Sequence, residues 1–274
     1  MAGVVTGEGG DRPSLSLPNS QDLIIYFALQ AHKPKTIVVL KDADPVLMPT
    51  YWSTAVPAIL ETFHPGQEDG NAVARLLFGL ANPSGKLPVT YPRNASDTPT
   101  GTMTQRYPGA NGPTGFEVQY SEGLQMGYRW YDARNITPMF PFGHGLSYTQ
   151  FTYGPISVTP DVSDGTMPIT VQFTVQNTGS RAGADVPQVY VGFPPAVGEP
   201  PKRLVGFQKV TLNPGEVTTV TLTIDPSATN HPISTWNTAS QAWNVAPGAL
   251  TFYLGRSSRD ITSVGISTVV LPTP

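Results

Sequence analysis

Two hydrophobic periodicities divide the chain. Leu23, Ile24, Phe27, Ala28 and Ala31 recur at helical spacing after Asn19 or Ser20, either of which suits a helix cap, until Pro34 stops the segment. Thr36-Ile-Val-Val-Leu40 then forms a β-branched run of the kind found in a strand buried on both faces. A second run, Val56-Pro-Ala-Ile-Leu60, leads into the turn His64-Pro-Gly66. Residues 67–78 predict a helix with Val73, Ala74, Leu76 and Leu77 on its apolar side and Gly79 as its stop. Alternation of strand and helix implies a parallel sheet covered by helices, in which ligands sit at the carboxyl ends of strands. The loops after Leu40 and Leu60 are therefore where chemistry is expected.

Beyond Phe151 the period changes to two. Ile169-Thr-Val-Gln-Phe-Thr-Val175, Val189-Tyr-Val191 and Val217-Thr-Thr-Val-Thr-Leu-Thr-Ile224 alternate, and Asn177-Thr-Gly179 and Asn213-Pro-Gly215 supply turns between runs. With Ile156-Ser-Val158 and the segments 204–212, 250–254 and 263–270, the pattern predicts about seven short strands, the signature of a β-sandwich. The fold class expected is an α/β domain over residues 1–150, followed by an all-β immunoglobulin-like or fibronectin type III-like sandwich over 151–274. Between residues 82 and 151 the chain is rich in loop formers and in aromatics such as Tyr107, Tyr128, Trp130, Tyr131 and Phe142, so it is expected to pack over something or to line a cleft.

Composition narrows the function classes. There are 29 prolines and 27 glycines, about one residue in five, which excludes a coiled coil or helical bundle. A hydrophobic share of 39% excludes a disordered tail. The net charge of −3 comes without any run of like charges, so nucleic acid is discounted as a partner. No apolar stretch approaches the roughly 18 to 20 residues that span a bilayer, and the first eleven residues show no signal peptide, so no membrane association is expected. Zero cysteines removes disulfides and thiolate chemistry and leaves the redox compartment open. The four histidines, His32, His64, His144 and His231, lack ligand spacing, and no metal site is expected.

Several segments, in order and over nearly the whole chain, resemble the C-terminal part of a glycoside hydrolase family 3 enzyme of the β-glucosidase type. They are Glu8-Gly-Gly-Asp-Arg12 with Leu15-Ser-Leu-Pro18, Pro45-Val-Leu-Met-Pro49, Pro65-Gly-Gln-Glu-Asp-Gly-Asn71, Asn82-Pro-Ser-Gly-Lys-Leu-Pro88, Tyr120-Ser-Glu-Gly-Leu124, Gly127-Tyr-Arg-Trp-Tyr-Asp132, Pro141-Phe-Gly-His-Gly-Leu-Ser-Tyr148 and Pro201-Lys-Arg-Leu-Val-Gly-Phe207. The resemblance implies an α/β sandwich domain, here N-terminally truncated and thus incomplete, joined to a fibronectin type III-like domain. It also implies a (β/α)8-like barrel that carries the aspartate nucleophile. A barrel takes about 250 residues, for which this chain has no room. The expectation is a fragment, or one half of a split enzyme whose barrel lies on another chain.

The implied activity is hydrolysis of terminal, non-reducing β-D-glucosyl residues by the retaining mechanism, without a cofactor. The partners implied are a β-linked oligosaccharide or glucoside and a separate barrel domain. Retention needs two carboxyl groups about 5 to 5.5 Å apart, so the chain alone is expected to be inactive. Alternatives are a β-xylosidase-type exo-glycosidase and a non-catalytic carbohydrate-binding or structural module. An extracellular or periplasmic full-length parent is implied. The sequons Asn94-Ala-Ser96 and Asn135-Ile-Thr137 would matter only in a eukaryotic secretory route.

The resemblance makes Glu8 the candidate general acid/base, with Asp11 and Arg12 as an ion pair that fixes its loop. His64, Gln67 and Glu68 stand between a strand end and a helix start; Glu68 is equally well explained as a complement to the helix dipole. Asp42 and Asp44 follow a strand end, but Asp44-Pro45 is an ordinary turn former. Glu122, Arg129, Trp130 and Tyr131 suit either a sugar-stacking surface or a packing core, with the core preferred. His144 between Gly143 and Gly145 reads as a turn residue. Lys202 and Arg203 read as a tether for the sandwich.

Overall fold

The structure, a computed structural model, describes residues 12, 14–101, 103–113 and 115–271, and the backbone of residues 2–3. Its contacts divide the chain into two compact units. One comprises Met1–Leu80, Val89–Glu122 and Asn135–Phe140, the other Ala81–Pro88, Gly123–Arg134 and Pro141–Pro274.

The first unit is built on three parallel strands, β1 (Ala2–Gly3), β2 (Ile37–Lys41) and β3 (Ala58–Glu61), with β2 in the centre. Leu40 lies opposite Glu61 and Ala2 opposite Leu40, so the carboxyl ends of the strands align. The helices are α1 (Gln21–His32), α2 (Trp52–Ala55) and α3 (Asp69–Leu77), and a short hairpin pairs β4 (Ala110–Gly112) with β5 (Gly115–Glu117). The strand–helix order is the one that the periodicity predicts, with α2 as an additional element.

Four local expectations are corrected. Ser20 stands at the start of α1 in a left-handed conformation (φ 56°) and makes no side-chain cap bond; backbone carbonyls of Pro18 and Ser20 take the first amides instead. The side of α1 that turns inward carries Ile25 and Leu29, while Ile24 and Phe27 are exposed. In β2 only Val38 and Leu40 are buried and Ile37 is half exposed, so one face of the strand is covered, not two. α3 likewise buries no residue completely, and Phe78 just after it is exposed. Gly79 does end that helix, at φ 69°, with its amide on Leu76 O at 2.9 Å.

The second unit begins with α4 (Tyr128–Ala133) and continues as strands β6 (Phe151–Tyr153), β7 (Ser157–Thr159), β8 (Val162–Ser163), β9 (Ile169–Asn177), β10 (Gly183–Asp185), β11 (Gln188–Gly192), β12 (Arg203–Phe207), β13 (Val210–Leu212), β14 (Val217–Ile224), β15 (Ser234–Asn237), β16 (Ala242–Val245), β17 (Gly248–Gly255) and β18 (Ile261–Val269). One sheet has the order β12-β11-β17-β18-β8. The other has the order β14-β9-β6, with β7 also on β9. β10 pairs with β13 and β15 with β16. Ile169, Val171, Phe173 and Val175 of β9 share one core with Val189 and Val191 of β11 and Leu250, Phe252 and Leu254 of β17. The alternation read from the sequence thus produces the sandwich.

β11 is the exception, because all five of its residues are buried. Val189 and Val191 face the common core, whereas Tyr190 faces the other way and meets the ring of Tyr128 edge-on at 5.8 Å. Tyr128 in turn stacks on Phe142 at 4.8 Å, and its hydroxyl oxygen accepts the amide of Leu204 at 2.7 Å. Gln188 on the same side donates to Gly143 O and Arg256 O, both at 3.0 Å. The loop-rich stretch therefore does pack, and part of it roofs this strand.

Candidate functional site

The carboxyl ends of β2 and β3 gather the polar groups of the first unit. Asp42 directly follows β2 and is 1% exposed, and among the described residues neither of its carboxylate oxygens has a hydrogen-bond partner. Glu61 ends β3. Its Oε1 accepts the amide of Phe63 at 2.8 Å and its Oε2 accepts the hydroxyl of Tyr91 at 2.7 Å. Tyr91 is held by backbone bonds to the strand-like segment opposite, from its own amide to Phe140 O (2.9 Å) and from Met139 N to its carbonyl (2.8 Å). Its ring stands edge-on to Phe140 at 6.4 Å.

Arg12 reaches the same edge. Its Nη2 donates to Pro45 O at 3.1 Å and lies 3.9 Å from Asp44 Oδ2, while its Nη1 has no partner among the described residues. Beside this group Lys41 pairs with Asp69 at the start of α3.

The electrostatics follow from this burial. Loss of water pushes the Asp42 carboxyl up from 3.8 to about 7; the charge of Glu61 adds to the rise and Arg12 opposes it. Burial also raises Glu61, against the hydrogen bond from Tyr91, which favours the ionised form. The Tyr91 phenol is raised by burial, by donating to Glu61 and by that carboxylate's charge. Burial thus favours the protonated form of Asp42. In this chain the Asp42 side chain is closed off from solvent.

Glu8 and Asp11 lie outside the described residues. Arg12 is anchored, and its described carboxylate neighbour is Asp44. His64, Gln67 and Glu68 are exposed; Glu68 accepts Asn71 Nδ2 at 2.6 Å in the first turn of α3, as a dipole complement would. Glu122 pairs with Arg106 at 3.3 Å, both side chains being nearly buried. Trp130 and Tyr131 are buried on α4 within the second unit, with the Arg134 guanidinium 3.3 Å over the Trp130 ring. They are core residues and present no face to a sugar.

His144 is part-buried; its carbonyl accepts Leu87 N at 2.8 Å, and burial, aided by Lys86, lowers its pKa. Lys202 binds Asp132 at 2.5 Å, and Arg203 donates to three carbonyls. The signal for Asp42 is present in the sequence as a carboxylate one residue beyond an unbroken apolar run, with Lys41 between them. Glu61 carries a similar signal at the end of the next run. Tyr91 has no local signal, since only the fold brings it to Glu61.

Comparison with known proteins gives this geometry a family. The profile of the glycosyl hydrolase family 3 C-terminal domain matches residues 1–148, and that of the fibronectin type III-like domain matches residues 185–258. The thermostable β-glucosidase B of Acetivibrio thermocellus is 43% identical over 256 residues, which are 93% of this chain and 32% of that protein. β-Glucosidase B of Emericella nidulans is 41% identical over 93% of this chain and 30% of its own length. Among solved structures, DesR, a β-glucosidase from Streptomyces venezuelae in complex with D-glucose, superposes with a TM-score of 0.90 at 38% identity, covering 98% of this chain and 33% of DesR. The chain thus spans about a third of the length of these relatives. With its first 148 residues matched by the family's own domain and its fold shared almost end to end, this protein belongs to glycosyl hydrolase family 3, of which it carries the C-terminal α/β domain and the fibronectin type III-like domain.

Proposed function

We propose that this chain supplies the acid/base half of a retaining β-glucosidase acting on terminal β-D-glucosyl residues, with the nucleophile on a barrel domain. The observation that carries the reading is the match of nearly the entire chain, at 38–43% identity, to proteins named as β-glucosidases, one of them solved with D-glucose. Glu8 is the acid/base in this reading, four residues before Arg12, whose side chain is tied to Pro45 O at the sheet's carboxyl edge. Arg12 itself is thereby anchored at that edge. A fixed acid matters because proton transfer to the departing oxygen requires hydrogen-bond reach. The exposed apolar side chains Ile24, Phe27 and Phe78 give a further domain a surface to cover.

The test is turnover of p-nitrophenyl β-D-glucoside by the purified chain, alone and mixed with a separately produced family barrel domain. Turnover only in the mixture supports the reading. Turnover by the chain alone, or none in either case, sinks it. In the active mixture E8Q should slow alkyl glucosides by about 10²–10⁴-fold and nitrophenyl glucosides less, because a good leaving group needs little protonation.

A further inference from the structure

The two sheets of the sandwich have four edges, and three of them are closed to further strands. β12 carries a bulge, since Val205 is skipped between Leu204 and Gly206 in its pairing with β11. β8 has two residues and stands between Asp161 and Asp164. The third edge is broken into β6 and β7, with Gly154 and Pro155 between them and Pro160 after them. Bulges, brevity, charge and proline are the devices that keep an edge from pairing with another chain. β14 has none of them. Its eight residues pair with β9 without a register shift, include no proline and no charge, and, Leu222 apart, are all β-branched.

The phase of the ladder fixes which backbone groups are left over. Asn177 N donates to Glu216 O at 3.0 Å just before β14 begins, so alternation gives Thr218, Val220 and Leu222 the bonds to β9. The amides and carbonyls of Thr219, Thr221 and Thr223 therefore point away from the sheet, and among the described residues no strand pairs with them there. The side chains of these three threonines are exposed on the outer face. On the core side Leu222 is only part-buried, and a Cβ on Gly206 of β12 would lie 3.1 Å from its Cδ1. A strand added here would thus meet an apolar side chain beneath and hydroxyls above.

Charge selects the occupant. Glu216 and Asp225 flank the strand, neither is buried, and no ion pair among the described residues engages either of them. Between them β14 carries no charge, and neither does β9 beside it. A second copy laid antiparallel along the whole edge would set Glu216 of one against Asp225 of the other at both ends, and a parallel copy would set each acid beside its like. We propose that the open edge of β14 docks an extended segment of another polypeptide, which adds as a further strand and carries a basic residue at each end of an uncharged, β-branched stretch. Main-chain bonds to Thr219, Thr221 and Thr223 hold such a segment, and the two acids fix its ends. The proposal stands independently of hydrolysis.

The test uses the full chain and a synthetic peptide in which four Thr-Val repeats stand between two lysines. Deuterium exchange of single amides, read by mass spectrometry with electron-transfer fragmentation, should be fast at Thr219, Thr221 and Thr223 in the free chain and slow at Val220 and Leu222. Peptide at about ten times its dissociation constant should slow the three threonine amides roughly tenfold. The same repeats between two glutamates should bind about tenfold more weakly, and E216K combined with D225K should reverse that order. T221P removes an outward amide and leaves the bonds to β9 in place, so it should abolish binding with the melting temperature little changed. Slow exchange of the three threonines in the free chain, no slowing by the lysine peptide, equal slowing by the glutamate peptide, or undiminished binding to T221P would each overturn the proposal. So would protection that rises with the concentration of the chain alone, which would assign the edge to a second copy. Because exchange is read on the unsubstituted chain, misfolding of a variant leaves the test intact. Inactivity toward aryl glucosides alters none of these readings.

Discussion

The hydroxyl of Tyr91 donates a 2.7 Å hydrogen bond to Oε2 of Glu61, joining the end of β3 to a residue thirty positions further along the chain. The bond stabilises the charged form of a carboxyl group that burial alone would neutralise. Y91F should therefore raise the Glu61 pKa and leave a desolvated acceptor without its donor. The expected loss of stability is about 1.5–3 kcal/mol where Glu61 is ionised and smaller where it is protonated. Urea unfolding followed from pH 3 to pH 8 reads the difference, and a loss that does not change with pH would contradict the coupling.

Asp42 gives a second pH dependence, of definite sign. Its folded pKa is raised from 3.8 to about 7, so between these values the folded chain binds more protons than the unfolded one. The stabilising contribution is complete below about pH 4 and is lost as pH rises through 7. The groups that set it are Glu61 and Asp44, which raise the pKa, and Arg12, which lowers it. D42N should flatten stability against pH over this window and exceed the parent at pH 8 by up to about 4 kcal/mol. A D42N chain less stable than the parent at pH 8, with the slope retained, would show that Asp42 is ionised in the fold.

Asp132 on α4 receives Lys202 at 2.5 Å and Arg259 at 2.7 Å, with its own side chain 4% exposed. Removing the carboxylate leaves two part-buried cations facing each other's field. D132A should cost about 3–5 kcal/mol, while K202M should cost clearly less, because Arg259 still neutralises the acid. Midpoints of guanidinium unfolding for the two variants decide the order.

Gly145 has a simpler role. A Cβ placed there would lie 2.1 Å from Gly85 O, and that carbonyl is backbone, which cannot swing aside. G145A should destabilise by roughly 1–3 kcal/mol, and H144A, whose neighbour's backbone is unchanged, by less. Comparing the melting temperatures of the two variants separates backbone fit from any function of the imidazole.

The sequence was most legible where one element's pattern answers to one buried face. β9 alternates and the structure buries Ile169, Val171, Phe173 and Val175 together, and Gly79 ends α3 as a left-handed stop should. Reading failed where a second surface intervenes. Leu23, Ile24, Phe27, Ala28 and Ala31 form a proper helical stripe, but α1 is apolar on more than one side, and periodicity cannot say which side meets the sheet. Asp42 is set aside with the Asp44-Pro45 turn because turn propensity is local, whereas its burial depends on how β2 and β3 end in register. The sequence marks Glu8 only through family likeness, and Tyr91 only through a contact that the fold creates.

β11 carries a last consequence. A strand with both sides covered has no side fit for water, yet the ring against Tyr190 is that of Tyr128, itself stacked on Phe142, and both precede the sandwich in the chain. A piece beginning at residue 151 would translate into a sandwich wearing a bare tyrosine and a glutamine stripped of its Gly143 partner. Such a piece would be sticky. Solubility of the C-terminal half is thus written in residues that lie before it, and any insertion between α4 and β6 would be tolerated only if it let that roof settle back onto the strand.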